Sequence, residues 1–332
     1  MAAVELLHYS YEKVNKQAMR MSLTAQALRI AKPFPMPVIE LGVAERGGAA
    51  ARTAKRSKKK SSSEAGGVPV RRAGVSPGLF AGAVVGQAQP LPYQADLTEV
   101  VSNYSTFPYS AVGKMFFFAA NGDAYVGSAW LVGRKGIITA AHCLYDRDDD
   151  DAFYSNMTFA PAYNGAATGQ VEVQLDESVI DPRYASEAWP NCLMWDFGAA
   201  TLSDDLSQQF GYLGYDASGV IEATLVEALG YPAEARPIPR NRNGGADDPE
   251  TYPFDGSQMW RSVGDYLGVS GDVGGAANEM TGGCSGGPWV EGDVAVGLNS
   301  HRYVPHDNRM FSPMFDHDFL ALIEWLDERG AL

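Results

Sequence analysis

Residues 281–288 read Thr-Gly-Gly-Cys-Ser-Gly-Gly-Pro, and this stretch decides the fold. Ser285 lies in its middle, with pairs of glycines on either side. Glycine adopts positive φ at little cost, so the chain can turn sharply around the serine. Such a turn can aim backbone N–H groups at one point, where they stabilise a developing oxyanion. The stretch therefore predicts a nucleophilic serine.

Two other stretches offer partners for this serine. Residues 137–143 read Ile-Ile-Thr-Ala-Ala-His-Cys, and residues 195–199 read Trp-Asp-Phe-Gly-Ala. A serine hydroxyl is a weak nucleophile that needs a base, and histidine has a suitable pKa. A carboxylate on the other ring nitrogen fixes the tautomer of that histidine. The order His142, Asp196, Ser285 therefore predicts a catalytic triad.

The sequence between these stretches has the pattern of short β-strands. Apolar runs are separated by turn signals such as Asn121-Gly122-Asp123, and no strand–helix alternation occurs. We predict an all-β fold with strands at residues 115–118, 129–132, 137–138, 171–175, 224–229 and 294–298. Apolar residues recur at helical spacing from Phe319 to Leu326, which predicts a C-terminal helix at about 316–329.

Composition excludes several classes of protein. A chain of 332 residues that is 45% hydrophobic can bury one large or two ordinary cores. Three cysteines are too few to hold together a disulfide-dependent fold. The sequence also contains no run of about 18 apolar residues, the length that would predict a membrane span. The net charge of −14 argues against nucleic-acid binding.

The charge is unevenly distributed. Residues 1–100 hold 14 Lys/Arg and 7 Asp/Glu, whereas residues 101–332 hold 12 and 33. Within this basic leader, residues 2–31 predict a short helix that the Lys-Pro-Phe-Pro-Met-Pro run at 32–37 ends. Residues 43–89 are low in complexity and predict a disordered linker. Within it, residues 52–60 hold six basic residues, which fit linker charge or a nucleic-acid or nuclear-import patch.

The sequence resembles the chymotrypsin-like serine peptidases, in particular their glutamyl-endopeptidase-like branch. The resemblance spans about residues 105–329 and depends on the motifs around His142, Asp196 and Ser285. Further matches are Ala111–Lys114, Gly230–Pro232, Met259–Trp260 and Met280–Gly283. The resemblance implies two packed six-stranded antiparallel β-barrels and a C-terminal helix, and composition predicts a largely disordered leader before them. The first barrel would span about 107–205 and the second about 206–315, within a domain of residues 101–332.

The resemblance also implies a mechanism. Ser285 would attack the peptide carbonyl, His142 would act as general base, and Asp196 would orient His142. The N–H groups of Gly283 and Ser285 would form the oxyanion hole. The implied protein is a monomeric serine endopeptidase for polypeptide substrates that needs no cofactor or metal. It would be secreted or periplasmic, although acidic residues interrupt any apolar signal-peptide core near the start.

Substrate-binding candidates follow from the same branch. Its members use a threonine four residues before the serine, which Thr281 matches, and a histidine on a later strand. Asn299 occupies that later position, and Ser300 and His301 follow it. An acidic domain would repel acidic substrates at long range, so the sequence does not by itself predict glutamate specificity.

The cysteines depart from the family pattern. Cys143 normally pairs with a cysteine on the preceding strand, and Gly127 occupies that place. A Cys143–Cys192 bridge would be compatible with the sequence, but three free thiols are favoured. Cys284 is expected to pack beside the nucleophile without a chemical role.

Other interpretations stay open at this stage. The chain could be a catalytically silent binding module on the same fold. Residues 283–287 also match the G-x-S-x-G elbow of serine esterases, yet only 47 residues follow Ser285 to hold an acid and a histidine. Asp146 and Asp148–Asp151 fit a solvated turn better than a calcium site. Residues 233–258 predict an enlarged surface loop, and the basic leader could dock on the acidic domain as an intramolecular inhibitor.

Overall fold

The computed structural model describes residues 6–11, 31–40, 95–148, 151–165, 167, 169–237, 251–304 and 309–332. Twenty-two strands lie in these ranges, with three short α-helices. The first twelve strands are β1 Leu7–Ser10, β2 Lys32–Pro33, β3 Val38–Glu40, β4 Leu97–Val100, β5 Val112–Phe118, β6 Ala124–Leu131, β7 Gly136–Thr139, β8 Tyr145–Asp146, β9 Ala152–Phe153, β10 Ser155–Pro161, β11 Val173–Ile180 and β12 Gly198–Leu202. The others are β13 Gly214–Tyr215, β14 Leu225–Gly230, β15 Arg236–Pro237, β16 Thr251–Tyr252, β17 Trp260–Ser270, β18 Val273–Ala277, β19 Pro288–Glu291, β20 Val294–Leu298, β21 Arg302–Val304 and β22 Arg309–Pro313. The helices are α1 Pro182–Ser186, α2 Ser207–Phe210 and α3 His317–Glu328.

Six strands of the first half close into a barrel. The order is β10, β5, β6, β7, β12, β11, and β11 pairs back with β10. All six neighbouring pairs are antiparallel. Each strand of the ring has a neighbour on both sides for at least part of its length, and side chains such as Trp130 and Phe159 fill the interior.

The second half forms a curled antiparallel sheet. Its main strands follow the order β20, β19, β14, β17, β18, β22. The two end strands, β20 and β22, lie close together. Leu298 N donates to Ser312 Oγ at 2.8 Å, and His301 and Phe311 form an antiparallel bridge. The predicted all-β fold with two six-stranded units is thereby confirmed.

Helix α3 packs against β12 and joins the core of the first barrel. Its buried face holds Phe319, Leu322 and Leu326, as the spacing predicts. The ring of Phe319 stacks on Phe315 at 4.0 Å and meets the edge of Phe197 at 5.9 Å. The predicted C-terminal helix is therefore confirmed.

The leader is less separate from the body than the sequence suggests. The helix predicted over residues 2–31 is wrong at 7–10, where β1 pairs with the edge of β11 and tertiary pairing overrides local helical spacing. Residues 12–30 and the predicted linker at 43–89 lie outside the described residues. Strand β4, on the leader side of the predicted boundary at 100, pairs with β17 of the second sheet.

Two further leader strands bind the body in parallel. β2 pairs with β6 of the first barrel, and β3 pairs with β21 of the second unit. Most of the loop predicted at 233–258 lies outside the described residues, although β15 and β16 pair at its two ends. Among the helices of the described ranges, none is long and apolar enough to cross a membrane.

Candidate active site

His142 and Asp196 meet at one end of the first barrel. His142 lies in a 3₁₀ turn just after β7, and Asp196 lies just before β12. These strands are antiparallel neighbours with Gly198 opposite Thr139, so the end of one is next to the start of the other. The pairing alone therefore brings together two residues that are 54 positions apart in the sequence.

Two hydrogen bonds join this pair. His142 Nδ1 donates to Asp196 Oδ2 at 2.8 Å, and His142 N donates to Asp196 Oδ1 at 2.9 Å. Both residues are buried. Burial lowers the pKa of His142, but the charge of Asp196 and its hydrogen bond outweigh burial and raise that pKa above the usual range. Asp196 therefore stabilises the imidazolium form.

Ser285 lies in the glycine-rich turn between β18 and β19. Gly283 has φ +94° and Gly286 has φ +80°, a region that side chains rarely adopt. A Cβ at Gly286 would lie 2.1 Å from Thr139 Oγ1, so only glycine lets the turn approach β7. Within the described part of the chain, the N–H groups of Gly283 and Ser285 donate to no protein acceptor.

Ser128 of β6 joins this turn to the first barrel. Its N donates to Ser285 O at 2.8 Å, and its Oγ donates to Gly283 O at 2.9 Å. Ser285 is 0% exposed and His142 2%. Ser285 Oγ and His142 Nε2 are both buried and have no hydrogen-bond partner among the described residues. The turn is therefore held against the barrel end that carries His142 and Asp196.

Asp181, a buried acid 15 positions before Asp196, has a structural place instead. Its carboxylate caps α1 by accepting from Arg183 N at 2.8 Å and also binds the Arg183 guanidinium. These bonds make Asp181 a structural residue of the helix N-terminus.

Ser300 and His301 lie on the carboxylate side of the pair, away from their expected substrate-binding role. Ser300 Oγ donates to Asp196 Oδ2 at 2.5 Å and lies 2.9 Å from His301 Nδ1. His301 is buried and stacks on Phe311 at 5.5 Å. No sequence pattern indicated the contact between Ser300 and Asp196, since it joins the start of β12 to the segment after β20.

Asn299 is also placed differently from its expected role in substrate binding. Its amide N donates to Leu229 O and Cys284 O, and its amide O accepts from Asn278 and Trp289. These four bonds use the capacity of a buried amide, so Asn299 holds the nucleophile turn in place. Thr281 is half-buried, and its hydroxyl donates to Glu234 O at 2.8 Å.

Residues 31–40, here named the leader strap, cross this site. The strap starts on β6, where Phe34 N donates to Val126 O at 3.1 Å. The Phe34 ring then stacks over His142 at 5.6 Å with an interplanar angle of 23°. Phe34 O lies so close to Gly282 that a Cβ there would be 2.9 Å away.

The far end of the strap binds the second unit. Met36 is buried in the core of that unit, and Arg302 N donates to Pro37 O at 3.0 Å just before β3 joins β21. The described contacts are backbone pairing and apolar packing, with one exposed ion pair between Lys32 and Asp123. Charge attraction between the whole leader and the acidic domain, which the sequence suggested, stays a prediction, because the basic residues at 52–60 lie outside the described ranges.

The three cysteines are all free and buried. The favoured prediction of three free thiols is confirmed, and the alternative Cys143–Cys192 bridge is absent from the structure. Burial raises the pKa of Cys192 and of Cys284 to about 12, so both are inert at neutral pH. Cys284 packs in the core of the second unit, as expected.

Gly127→Cys is expected to restore a disulfide with Cys143. A Cβ at Gly127 would lie 3.0 Å from Cys143 Sγ, which matches the separation of about 3 Å between a Cβ and the partner sulfur in a disulfide. The free energy of unfolding of the oxidised variant should be larger by about 3 kcal/mol, the value expected for a closed loop of about 15 residues. Denaturant unfolding with and without reductant measures this difference. Equal midpoints in both conditions, with no loss of free thiols, would contradict it.

Three potential metal ligands lie together at the start of α3. Atoms of Asp316, His317 and Asp318 fall within 4.8 Å of one another. Asp316 caps the helix by accepting from Asp318 N at 2.8 Å, and Asp318 accepts from Arg183 at 2.8 Å and Trp195 at 3.1 Å. These contacts give both carboxylates a structural role. In the acidic loop, Asp151 accepts from Tyr145 and residues 149–150 lie outside the described ranges.

A closed antiparallel barrel beside a curled second sheet, with His142, Asp196 and Ser285 at their junction, defines the chymotrypsin-like serine peptidase fold. Within this class the chain is similar to the glutamyl-endopeptidase-like branch. A glutamyl endopeptidase of Bacillus licheniformis is 28% identical over 137 residues, which cover 40% of this chain and 40% of that protein. No family model matches the chain.

Solved structures agree on the fold. The protease Anisep of Arthrobacter nicotinovorans has a TM-score of 0.54 and 22% identity, over 68% of this chain and 97% of its own. The thermostable serine protease AL20 of an extremophilic microorganism has a TM-score of 0.53 and 27% identity, over 66% and 97%. A Glu endopeptidase has a TM-score of 0.54 and 14% identity, over 74% and 100%. The predicted resemblance is confirmed.

Proposed function

We propose that this protein is a serine endopeptidase that hydrolyses polypeptides through an acyl-enzyme. One observation carries the proposal: the buried His142–Asp196 pair presents an unpartnered Nε2 at the junction where the Ser285 turn is held. A buried polar atom without a partner is costly in a merely structural role. It is expected where a substrate or a reacting group completes the site.

Each residue has a defined task in the proposed reaction. Ser285 Oγ attacks the scissile carbonyl while His142 Nε2 takes its proton and later gives it to the leaving amine. Asp196 holds the Nδ1–H tautomer and stabilises the imidazolium. Water then hydrolyses the acyl-enzyme, with His142 again acting as base.

The oxyanion would form against the glycine turn. The N–H groups of Gly283 and Ser285 are the proposed donors, since neither is used within the described protein. Gly283 has a positive φ, so its N–H group points in a direction that a residue with strand conformation could not give it. No cofactor takes part in this scheme.

Labelling with a fluorophosphonate tests the enzyme proposal. The reagent should modify the full chain once, at Ser285, and should fail to modify His142→Ala, in which the base is missing. Peptide and ester substrates then separate an endopeptidase from a serine esterase. A protein that takes up no label, before or after release of the leader strap, would be a silent binding module.

We further propose that the leader strap holds the enzyme inactive. Phe34 covers one face of His142, and the strap is anchored on both units, so a substrate would have to displace it. Prolines at 33, 35 and 37 supply no N–H, and therefore the strap cannot pair along its length as an ordinary extended substrate would. The predicted monomeric state and secreted or periplasmic location stay predictions.

A further inference from the structure

A second buried histidine lies behind the carboxylate of the proposed triad. Asp196 Oδ2 accepts from His142 Nδ1 at 2.8 Å on one side and from Ser300 Oγ at 2.5 Å on the other. Ser300 Oγ in turn lies 2.9 Å from His301 Nδ1. Four groups thus form one buried row that begins at His142 and ends at His301.

The proton positions along this row follow from counting donors. An ionised carboxylate only accepts, so the single hydroxyl proton of Ser300 points to Asp196. Ser300 Oγ has no second proton to offer, and therefore His301 Nδ1 must be the donor in its contact with Ser300. Burial lowers the pKa of His301 to about 4, so the ring is neutral near pH 7 and carries its one proton on Nδ1.

His301 is held rigidly in this orientation. Its ring is 1% exposed and stacks on Phe311 with an interplanar angle of 19°. The backbone is fixed as well, since Phe311 N donates to His301 O at 2.9 Å. A side chain packed in this way presents Nδ1–H to Ser300 with little freedom to turn aside.

We propose that His301 is a positioning residue of the triad, which commits the Ser300 hydroxyl to donate to Asp196. Without the Nδ1–H group, Ser300 Oγ would lose the donor that fixes its position, and its bond to the buried carboxylate would be held less strictly. A less well-bound carboxylate would orient His142 less strictly. This role rests on the proposed function, and it replaces the substrate contact expected for His301 from the sequence.

Three substitutions separate a donor role from a packing role. His301→Phe keeps a ring to stack on Phe311 but removes the donor. His301→Asn keeps an N–H near the position of Nδ1, whereas His301→Gln moves its N–H towards the position of Nε2. We expect kcat to fall about 10-fold in the Phe and Gln variants, with KM nearly unchanged, and the Asn variant to recover most of the loss. The full chain should carry Phe34→Ala and Met36→Ala, which open the cleft.

A double-mutant cycle makes the coupling explicit. Once Ser300→Ala has removed the intermediate hydroxyl, His301→Phe should cost no further activity. Additive losses, or equal losses in the Phe and Asn variants, would overturn the proposal in favour of simple packing.

A second measurement does not depend on catalysis. The His142 Nδ1 proton, bonded to Asp196, should give a low-field proton resonance in the intact resting protein. His301→Phe should shift this resonance or speed its exchange with water, and His301→Asn should restore it. If the resonance is unchanged in all variants, His301 does not position the triad. The resonance reports on the row even if the wild-type protein takes up no fluorophosphonate, so failure of the enzyme proposal is distinguishable.

Discussion

Ser285→Ala is expected to abolish peptide hydrolysis in the Phe34→Ala/Met36→Ala protein, whose leader strap is loosened, with kcat lower by about 10⁶-fold. This is the loss that follows removal of the nucleophile from a comparable triad. The substitution deletes one oxygen that has no partner among the described residues, so it breaks no internal hydrogen bond. The backbone bonds of Ser285 and the flanking glycines remain. Stability should therefore change little while the chemistry is lost. Progress curves with an internally quenched peptide measure kcat directly.

A matched control uses a serine outside the site. Ser203 is exposed, and among the described residues its hydroxyl bonds the neighbouring Asp204 alone. Ser203→Ala should therefore keep the full activity of the protein with the loosened strap. Unfolding midpoints of both variants check that the fold is intact. If a folded Ser285→Ala protein kept more than a trace of hydrolysis, Ser285 would not be the nucleophile.

Loosening the leader strap is expected to raise the rate of fluorophosphonate labelling by about 100-fold. Phe34→Ala removes the ring that stacks on His142, and Met36→Ala removes the side chain buried in the second core. Together the two truncations should favour the open state by about 3 kcal/mol, since one side chain is half-buried and the other fully buried. This free energy corresponds to an open fraction about 100-fold larger, and Ser285 reacts with the label only in the open state. The rate of label uptake by the full chain measures it.

Two controls keep this prediction sharp. Lys32→Ala removes only the exposed ion pair with Asp123, and it should leave labelling within about twofold because exposed pairs contribute little. A synthetic peptide of residues 31–40, added to the loosened variant, should slow labelling again. Unchanged labelling in a folded Phe34→Ala/Met36→Ala protein would mean that the strap does not block the site.

The leader shows where sequence reasoning failed. Loose helical spacing over residues 2–31 favoured a helix, but residues 7–10 form β1 because the edge of β11 offers backbone partners that a local pattern does not contain. The charge difference between leader and body correctly drew attention to a contact between them. The described contacts of the strap are mainly apolar and backbone, and docking of the whole leader by charge stays a prediction.

The sequence by itself determined which residues can carry the chemistry. His142, Asp196 and Ser285 each lie in a short motif whose composition sets local conformation, such as the positive φ of Gly283 and Gly286. Local backbone preference is a property of adjacent residues, so it can be read without the fold. The strands and the last helix were predictable for the same reason.

Only the tertiary structure decided what surrounds those residues. Ser300 binds Asp196 although the two are 104 positions apart in the sequence. Phe34 of the strap stacks on His142 although 108 positions separate them. Such contacts depend on strand order and register, which arise from many weak pairings at once. No single segment encodes them, and therefore the row that ends at His301 and the covered state of the site emerged only from the folded chain.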